Sequence, residues 1–273
     1  PNPLPLAKVV TQDGEVLVVR AAETAQGSGA PGQVLEASPD GATVAAGTGA
    51  VRLLALSDQE GQPRCPSTLE GQTLQNPGAD VRQRLTERNA EICKADDFWA
   101  KRLVQLDPIE VPQVGPHGEA PRFESVAFDA AGLEGSAWVA GVVAFLARNG
   151  GKSEFHVGWR SKGLAEAIAG DEAYFAPAVP LHVDASDDVG SLVALLDKEL
   201  ARVEKRVTYA RDLTARHPRA TRGRFDVILA PTESGPVDDA GVTITSAAIH
   251  YDATRLEKAE AETLLVAARA EAA

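Results

Sequence analysis

Two spacings of apolar residues divide the chain. Residues 1–63 carry short apolar runs separated by turn pairs. Ala7–Thr11 precedes Asp13-Gly14, and Glu15–Ala21 carries Val16, Leu17, Val18 and Val19. Pro31-Gly32 precedes Val34-Leu35, Asp40-Gly41 precedes Thr43-Val44, and Thr48-Gly49 precedes Val51–Leu56. Glycine accepts positive φ cheaply, so Asp-Gly between β-rich runs favours tight hairpins. Five short strands of this kind predict a small barrel. Arg64–Gly78 is polar, holds Pro66, Gly71, Pro77 and Gly78, and reads as a linker. A helical stripe follows in Val81, Leu85, Ile92, Trp99, Leu103 and Leu106, which fits one helix or two abutting ones. It stops before Asp107-Pro108, as proline requires.

The remaining chain alternates long helical stripes with strands. Pro108–Pro121 reads as extended, and Phe123–Phe128 as a short strand. Gly135–Ala147 contains no charge, and its apolar residues lie on every side, which predicts a helix buried all round. Arg148 suits its C-terminal end, and Asn149, Gly150 and Gly151 stop it. Phe155, Val157 and Trp159 then alternate with Glu154, His156 and Arg160, predicting a strand with one buried face. No catalytic motif lies in this stretch. Asp187 and Asp188 open a helix whose stripe is Leu192, Leu196, Leu200, Val203 and Val207. Phe225–Ala230 and Val242–Tyr251 read as strands, and Asp252 as the N-cap of a last helix carrying Leu256, Ala259, Thr263, Leu264 and Ala267.

The chain has 273 residues, 44% of them hydrophobic, enough for one large or two small domains. It contains no methionine and opens Pro-Asn-Pro, so a fragment of a longer polypeptide is expected. No signal peptide or membrane span is read, and Cys65 and Cys93 match no metal spacing, so reduced thiols and a cytoplasmic location are expected. The net charge of −12 argues against a nucleic-acid surface. Within residues 1–63, Lys8, Arg20 and Arg52 face seven acidic residues, which favours a barrel that docks neighbours over one that binds RNA.

One segment departs from the acidic background. Lys198, Arg202, Lys205, Arg206, Arg211, Arg216, Arg219, Arg222 and Arg224 are opposed only by Glu199, Glu204 and Asp212. They read either as a solvated face or as a docking patch for an acidic partner. His250, Tyr251 and Asp252 resemble a local acid–base group, but Asp252 is more simply a cap and no nucleophile is evident. His156 and His182 fall on predicted strands, and His117 and His217 in loops; none has metal spacing. No catalytic, cofactor-binding or metal residue is therefore assigned.

PLPLAKVVTQDGEVLVVRAAE, followed by GAPGQVLEASPDGATVAAGTGAVRLLALSDQEG, resembles the C-terminal subdomain of the methionyl-tRNA formyltransferase family. In that family the subdomain is an OB-like barrel used on tRNA, and the catalytic asparagine, histidine and aspartate belong to a preceding domain. No position here matches them. DDFWAKRLVQL, VAFLARNGGKSEFHVGW, AYFAPAVPLHVDASDDVGSLVALLDKELARV, FDVILA and AAIHYDATRLEKAEAETLLVAA, in that order, resemble the C-terminal lobe of a nonribosomal peptide synthetase condensation domain. Such domains carry an HHxxxDG motif in their N-terminal lobe, and this chain has no His-His pair.

Together the resemblances imply an α+β multidomain chain: an OB-like β-barrel in residues 1–63, a linker and helix in 64–95, and a condensation-domain-like (chloramphenicol acetyltransferase-like) α/β half-lobe in 96–273. They imply a non-catalytic docking segment of a formyltransferase-containing peptide synthetase. Its partners would be a formyltransferase catalytic domain, a downstream adenylation domain and a carrier protein, with no nucleic acid or membrane. No cofactor is expected on this segment; the parent chain would use formyltetrahydrofolate, phosphopantetheine and ATP. The alternatives are an acyltransferase half-site that needs a partner lobe and an RNA-binding OB module.

Overall fold

The computed structural model describes residues 6–116, 121–127, 135–186, 188–217, 219–232, 235–237 and 240–264. Expectations for His117, Phe128, Asp187 and Ala267 lie outside the described residues. There are two compact units. One comprises Pro1–Ala100, Asp171–Phe175 and Tyr209–Ala220; the other comprises Lys101–Gly170, Ala176–Thr208 and Thr221–Ala273.

The first unit is built on β1 (Lys8–Val10), β2 (Val16–Ala25), β3 (Val34–Ser38), β4 (Gly41–Ala45), β5 (Ala50–Ser57) and β6 (Pro63–Arg64). They pair antiparallel in the order β1-β2-β5-β4-β3, with β6 on β5. Gly14 and Gly49 turn at φ 89° and 73°, the conformations the hairpin reading assigned to glycine. The sheet is open, not closed into a barrel by strand pairing. Its two ends instead make isolated bridges to one later segment, Val10 to Gln75 and Gln33 to Thr73.

That segment belongs to the stretch expected to be a polar linker. Leu69 and Leu74 join Leu17, Ala42, Val44, Leu53 and Leu56 in one core. Five positions apart in a polar run, they fit neither a helical nor a strand period, so the pattern hides them. Gly32 pins the segment: its carbonyl accepts from the Leu74 N–H at 2.8 Å, and its φ is 89°. A Cβ there would collide with the Leu74 carbonyl oxygen. Gly32→Ala is therefore expected to lower the unfolding free energy by about 2 kcal/mol, from combined backbone strain and clash. Urea titration of the purified variant checks it, and an unchanged midpoint would mean the backbone shifts freely.

α1 (Ala79–Ile92) and α2 (Asp96–Val104) follow, joined by a 3-10 turn at Cys93–Ala95. The expected stripe is two abutting helices, with Leu85, Ile92, Trp99 and Leu103 buried. The later segments of this unit pack by specific contacts. Phe175 bridges Ala210, the Gln59 side chain donates to the Ala173 carbonyl, and Tyr209 lies against Trp99.

The second unit contains β7 (Phe123–Ala127), α3 (Gly135–Gly150), β8 (Glu154–Trp159), α4 (Lys162–Ile168), β9 (Val179–Asp184), α5 (Val189–Glu204), β10 (Val227–Leu229), β11 (Val242–Ile244) and β12 (Ala248–Asp252). The sheet order is β7-β12-β11-β10-β8-β9. β8, β10 and β11 run parallel, and the flanking pairs are antiparallel. α3 packs against α5 and buries Trp138, Val139, Val142, Val143 and Leu146, as an uncharged helix should. Asp188 caps α5, accepting from the N–H groups of Gly190 and Ser191.

Three local readings are corrected. β8 is buried on both faces from Phe155 to Trp159, so His156 is enclosed rather than solvated. The run Val242–Tyr251 is two strands, because the Thr245 hydroxyl accepts the N–H groups of Ala247 and Ala248 and turns the chain. Asp252 does not cap the last helix, which begins at 258. Its carboxylate instead accepts from the N–H groups of Arg122 and Thr254 and from the Thr254 hydroxyl at 2.7 Å, holding the turn after β12.

Candidate functional site

The nine basic residues divide between the two units. In the first, Arg211 donates from Nε to the carbonyls of Glu172 and Phe175, both at 3.2 Å, and reaches Glu60 at 3.7 Å. Arg216 binds Asp212 at 3.1 Å and Asp96 at 2.9 Å. These two arginines brace the fold, and Arg219 is exposed. In the second unit Lys198, Arg202, Lys205 and Arg224 are exposed, while Arg206 and Arg222 are half-buried. Arg202 pairs with Glu199 at 3.1 Å, and Arg206 donates to the Arg202 carbonyl.

The sequence shows Asp212 as an opposing charge but not its burial, and sequence reasoning missed Asp96 and Asp171. Asp212 is buried and holds both Lys8, at 2.5 Å, and Arg216. Burial pushes the Asp96 carboxyl upward, and Arg216 partly opposes that shift. Asp171, also buried, is clamped by Arg84 at 2.8 Å and by Arg88. Arg84 and Arg88 share a face of α1 at four-residue spacing, the one signal available, but their partner lies more than 80 residues downstream.

The described histidines form no acid–base centre. His156 Nδ1 accepts the Asp107 N–H at 3.1 Å, and its ring lies 5.2 Å from that of His182 on β9. Burial, helped by the charge of His182, lowers its pKa to about 4. His182 meets Glu154 at 3.1 Å. His250 is half-buried with a pKa depressed by burial. Its sequence neighbours are engaged elsewhere, Tyr251 donating to Glu124 at 3.0 Å and Asp252 holding its turn. His217 is half-buried at the end of a one-turn helix, Leu213–Arg216. Among the described residues no group of three His, Cys, Asp or Glu could hold a metal ion.

His156 makes stability depend on pH with a definite sign. The ring takes a proton near pH 6.5 in the unfolded chain but only near pH 4 in the folded one. The unfolded state therefore binds more protons between these values. The stabilisation is complete above about pH 6.5 and is lost as pH falls towards 4. The thermal midpoint is expected to drop across that window, and to drop less in His156→Gln, which keeps an acceptor for the Asp107 N–H. Equal drops in both proteins would rule out His156 as the cause.

One cavity of about 600 Å³ lies wholly within the second unit. Trp138 of α3, Trp159 of β8 and Leu200 of α5 line it, with Val207 and Pro231 from the loops beyond α5 and β10. Val207 has φ 55°, costly for a β-branched residue. Its walls come from five separate stretches of sequence, so no motif announces it.

No protein-family model matches the chain. It is 46% identical over 68 residues to a methionyl-tRNA formyltransferase of Ectopseudomonas mendocina, a match covering 25% of this chain and 21% of the relative. A Burkholderia multivorans methionyl-tRNA formyltransferase is 48% identical over 56 residues, covering 20% of this chain and 17% of its own length. Among solved structures, the starter condensation domain of rhizomide synthetase superposes with a TM-score of 0.51 at 11% identity, covering 70% of this chain and 55% of that one. The EpoB cyclization-docking bidomain of a Sorangium cellulosum nonribosomal peptide synthetase gives 0.50 at 11% identity, covering 70% and 50%. The chain pairs a formyltransferase-like stretch with a condensation-type fold. It spans about a fifth of the formyltransferases' length and about half of the two synthetase structures. Among the described residues no helix is long and apolar enough to cross a membrane.

Proposed function

We propose that this chain is a non-catalytic connecting segment of a formyltransferase-containing nonribosomal peptide synthetase, between a formyltransferase catalytic domain and an adenylation domain. The observation that carries the reading is the coexistence, in one chain, of a partial formyltransferase likeness and a partial condensation-type fold. Residues 1–63 are then the OB-like C-terminal subdomain, 64–95 the joining segment and 96–273 the condensation-like lobe. The open sheet is compatible with an OB-like arrangement in which residues 73–75 fill the gap between its end strands. The first unit is also completed by Asp171–Phe175 and Tyr209–Ala220, held through buried Asp171 and Asp212. Its folding thus depends on residues far downstream of the formyltransferase-like stretch.

The catalytic residues of both families have no counterpart in this sequence. Formyltetrahydrofolate, phosphopantetheine and ATP accordingly serve other domains of the parent chain. This segment is expected to show no formyl transfer or condensation above background; turnover with a carrier-bound acyl donor that disappears in His250→Ala would reject the reading. Docking to the adenylation domain would use the exposed members of the basic segment, with Arg211 and Arg216 reserved for the fold. Reversing Lys198, Lys205 and Arg224, all of the second unit, to Glu is expected to weaken association with the separately expressed adenylation domain at low salt. The difference should shrink at 0.15 M, roughly, where the Debye length is about 8 Å. Unchanged affinity at both salts would leave these residues as plain solvated surface.

A further inference from the structure

The cavity of the second unit opens beyond the C-terminal ends of its parallel strands. Ser161, Pro231 and Ser246, which border it, follow the ends of β8, β10 and β11 by two residues each. Ligands of open α/β sheets enter at this end. Its volume of about 600 Å³ suits a small molecule, and the lining combines apolar walls with few polar groups.

Charge selects the kind of molecule. Leu200 and Glu204 lie one helical turn apart on α5, so both face the cavity. Lys162 also borders it, but the Lys162 ammonium is 3.7 Å from Glu166, one turn along α4. Glu204 has no ion-pair partner among the described residues. Glu204 is the carboxylate that borders the cavity, which two tryptophans, Trp138 and Trp159, also line. A carboxylate next to indole rings attracts a cation twice, by direct charge and through the negative ring faces. Val207, at φ 55°, presses an apolar side chain onto the same space, and backbone outliers of this kind gather at ligand clamps.

We propose that this cavity binds a hydrophobic monoamine, a protonated amine on an aromatic or branched body of roughly ten to fifteen heavy atoms. The ammonium group sits against Glu204 and the indoles, and the body displaces water from Leu200, Val207 and Pro231. This site is independent of the connecting role proposed above. An anion of the same shape is repelled by Glu204, and a neutral one keeps only the apolar contribution.

Three indoles of nearly equal shape test it on the full chain by isothermal titration calorimetry at pH 7: tryptamine, 3-ethylindole and indole-3-propionate. Tryptamine is expected to bind about tenfold or more tightly than 3-ethylindole, with no binding of indole-3-propionate. Glu204→Gln, an exposed substitution near the end of α5, is expected to erase the preference for tryptamine over 3-ethylindole. Leu200→Trp, which fills the cavity, is expected to abolish binding of both. Equal binding of all three compounds, no binding of tryptamine, or a preference that survives Glu204→Gln would each overturn the proposal.

Discussion

Trp99→Ala is expected to lower the unfolding free energy by about 3–5 kcal/mol, the largest effect of any single truncation in the first unit. Trp99 is fully buried, so the loss combines the transfer of a large aromatic surface with the cavity left behind. Its position in the packing raises the cost further. The Phe98 ring meets it edge-on at 4.8 Å, and the Tyr209 ring lies 5.7 Å away at a tilt. Aromatic pairs of this geometry contribute about 0.5–1.5 kcal/mol beyond burial. Tyr209 begins one of the two downstream segments that complete the unit, so removing Trp99 also loosens that segment. Val104, 47% exposed on the same helix, is the control; Val104→Ala should change stability by less than about 0.5 kcal/mol. Urea titrations of both variants, followed by circular dichroism, decide the matter. Equal midpoints would mean that Trp99 is not an anchor.

What the sequence disclosed follows from how far apart the interacting residues lie. The hairpins at Asp13-Gly14 and Asp40-Gly41 are legible because their cause is local, a glycine where the chain reverses. α3 is legible because an uncharged run has one stable place. His156 is not legible: on an alternating strand it reads as outward-facing, and only the Asp107 N–H, 49 positions earlier, makes its burial tolerable. Arg216 reads as a docking residue in the sequence for the same reason. Asp212, one helical turn away, is visible there as an opposing charge, but Asp96 lies 120 positions upstream. The cavity depends on tertiary placement entirely, since Trp138, Trp159 and Glu204 share no period. The charge pattern sets the basic segment apart from its acidic background but does not divide braces from exposed cations.

The second large effect concerns Arg102 and Glu199, a pair in which both side chains are more than nine-tenths buried. Arg102 also donates to the Pro180 carbonyl at 3.3 Å, and Glu199 also meets Arg202 at 3.1 Å. Taking two charges out of water is costly, and their attraction repays it only while both remain. The two single substitutions should therefore differ. Glu199→Met leaves the buried Arg102 guanidinium without the carboxylate that balances its charge, and the Pro180 carbonyl does not replace that charge. The expected loss is about 3–5 kcal/mol. Arg102→Met leaves Glu199 beside Arg202, whose side chain is 59% exposed and brings hydration with it, so its cost should be smaller. The double variant, Arg102→Met with Glu199→Met, removes both desolvation penalties and refills the space with apolar atoms. It should be more stable than Glu199→Met alone, by about 2 kcal/mol or more, and close to the parent. A double-mutant cycle from denaturant midpoints measures the coupling directly. Additive losses in the double variant would mean that the two charges contribute separately, through their hydrogen bonds to Pro180 and Arg202, rather than as a buried pair.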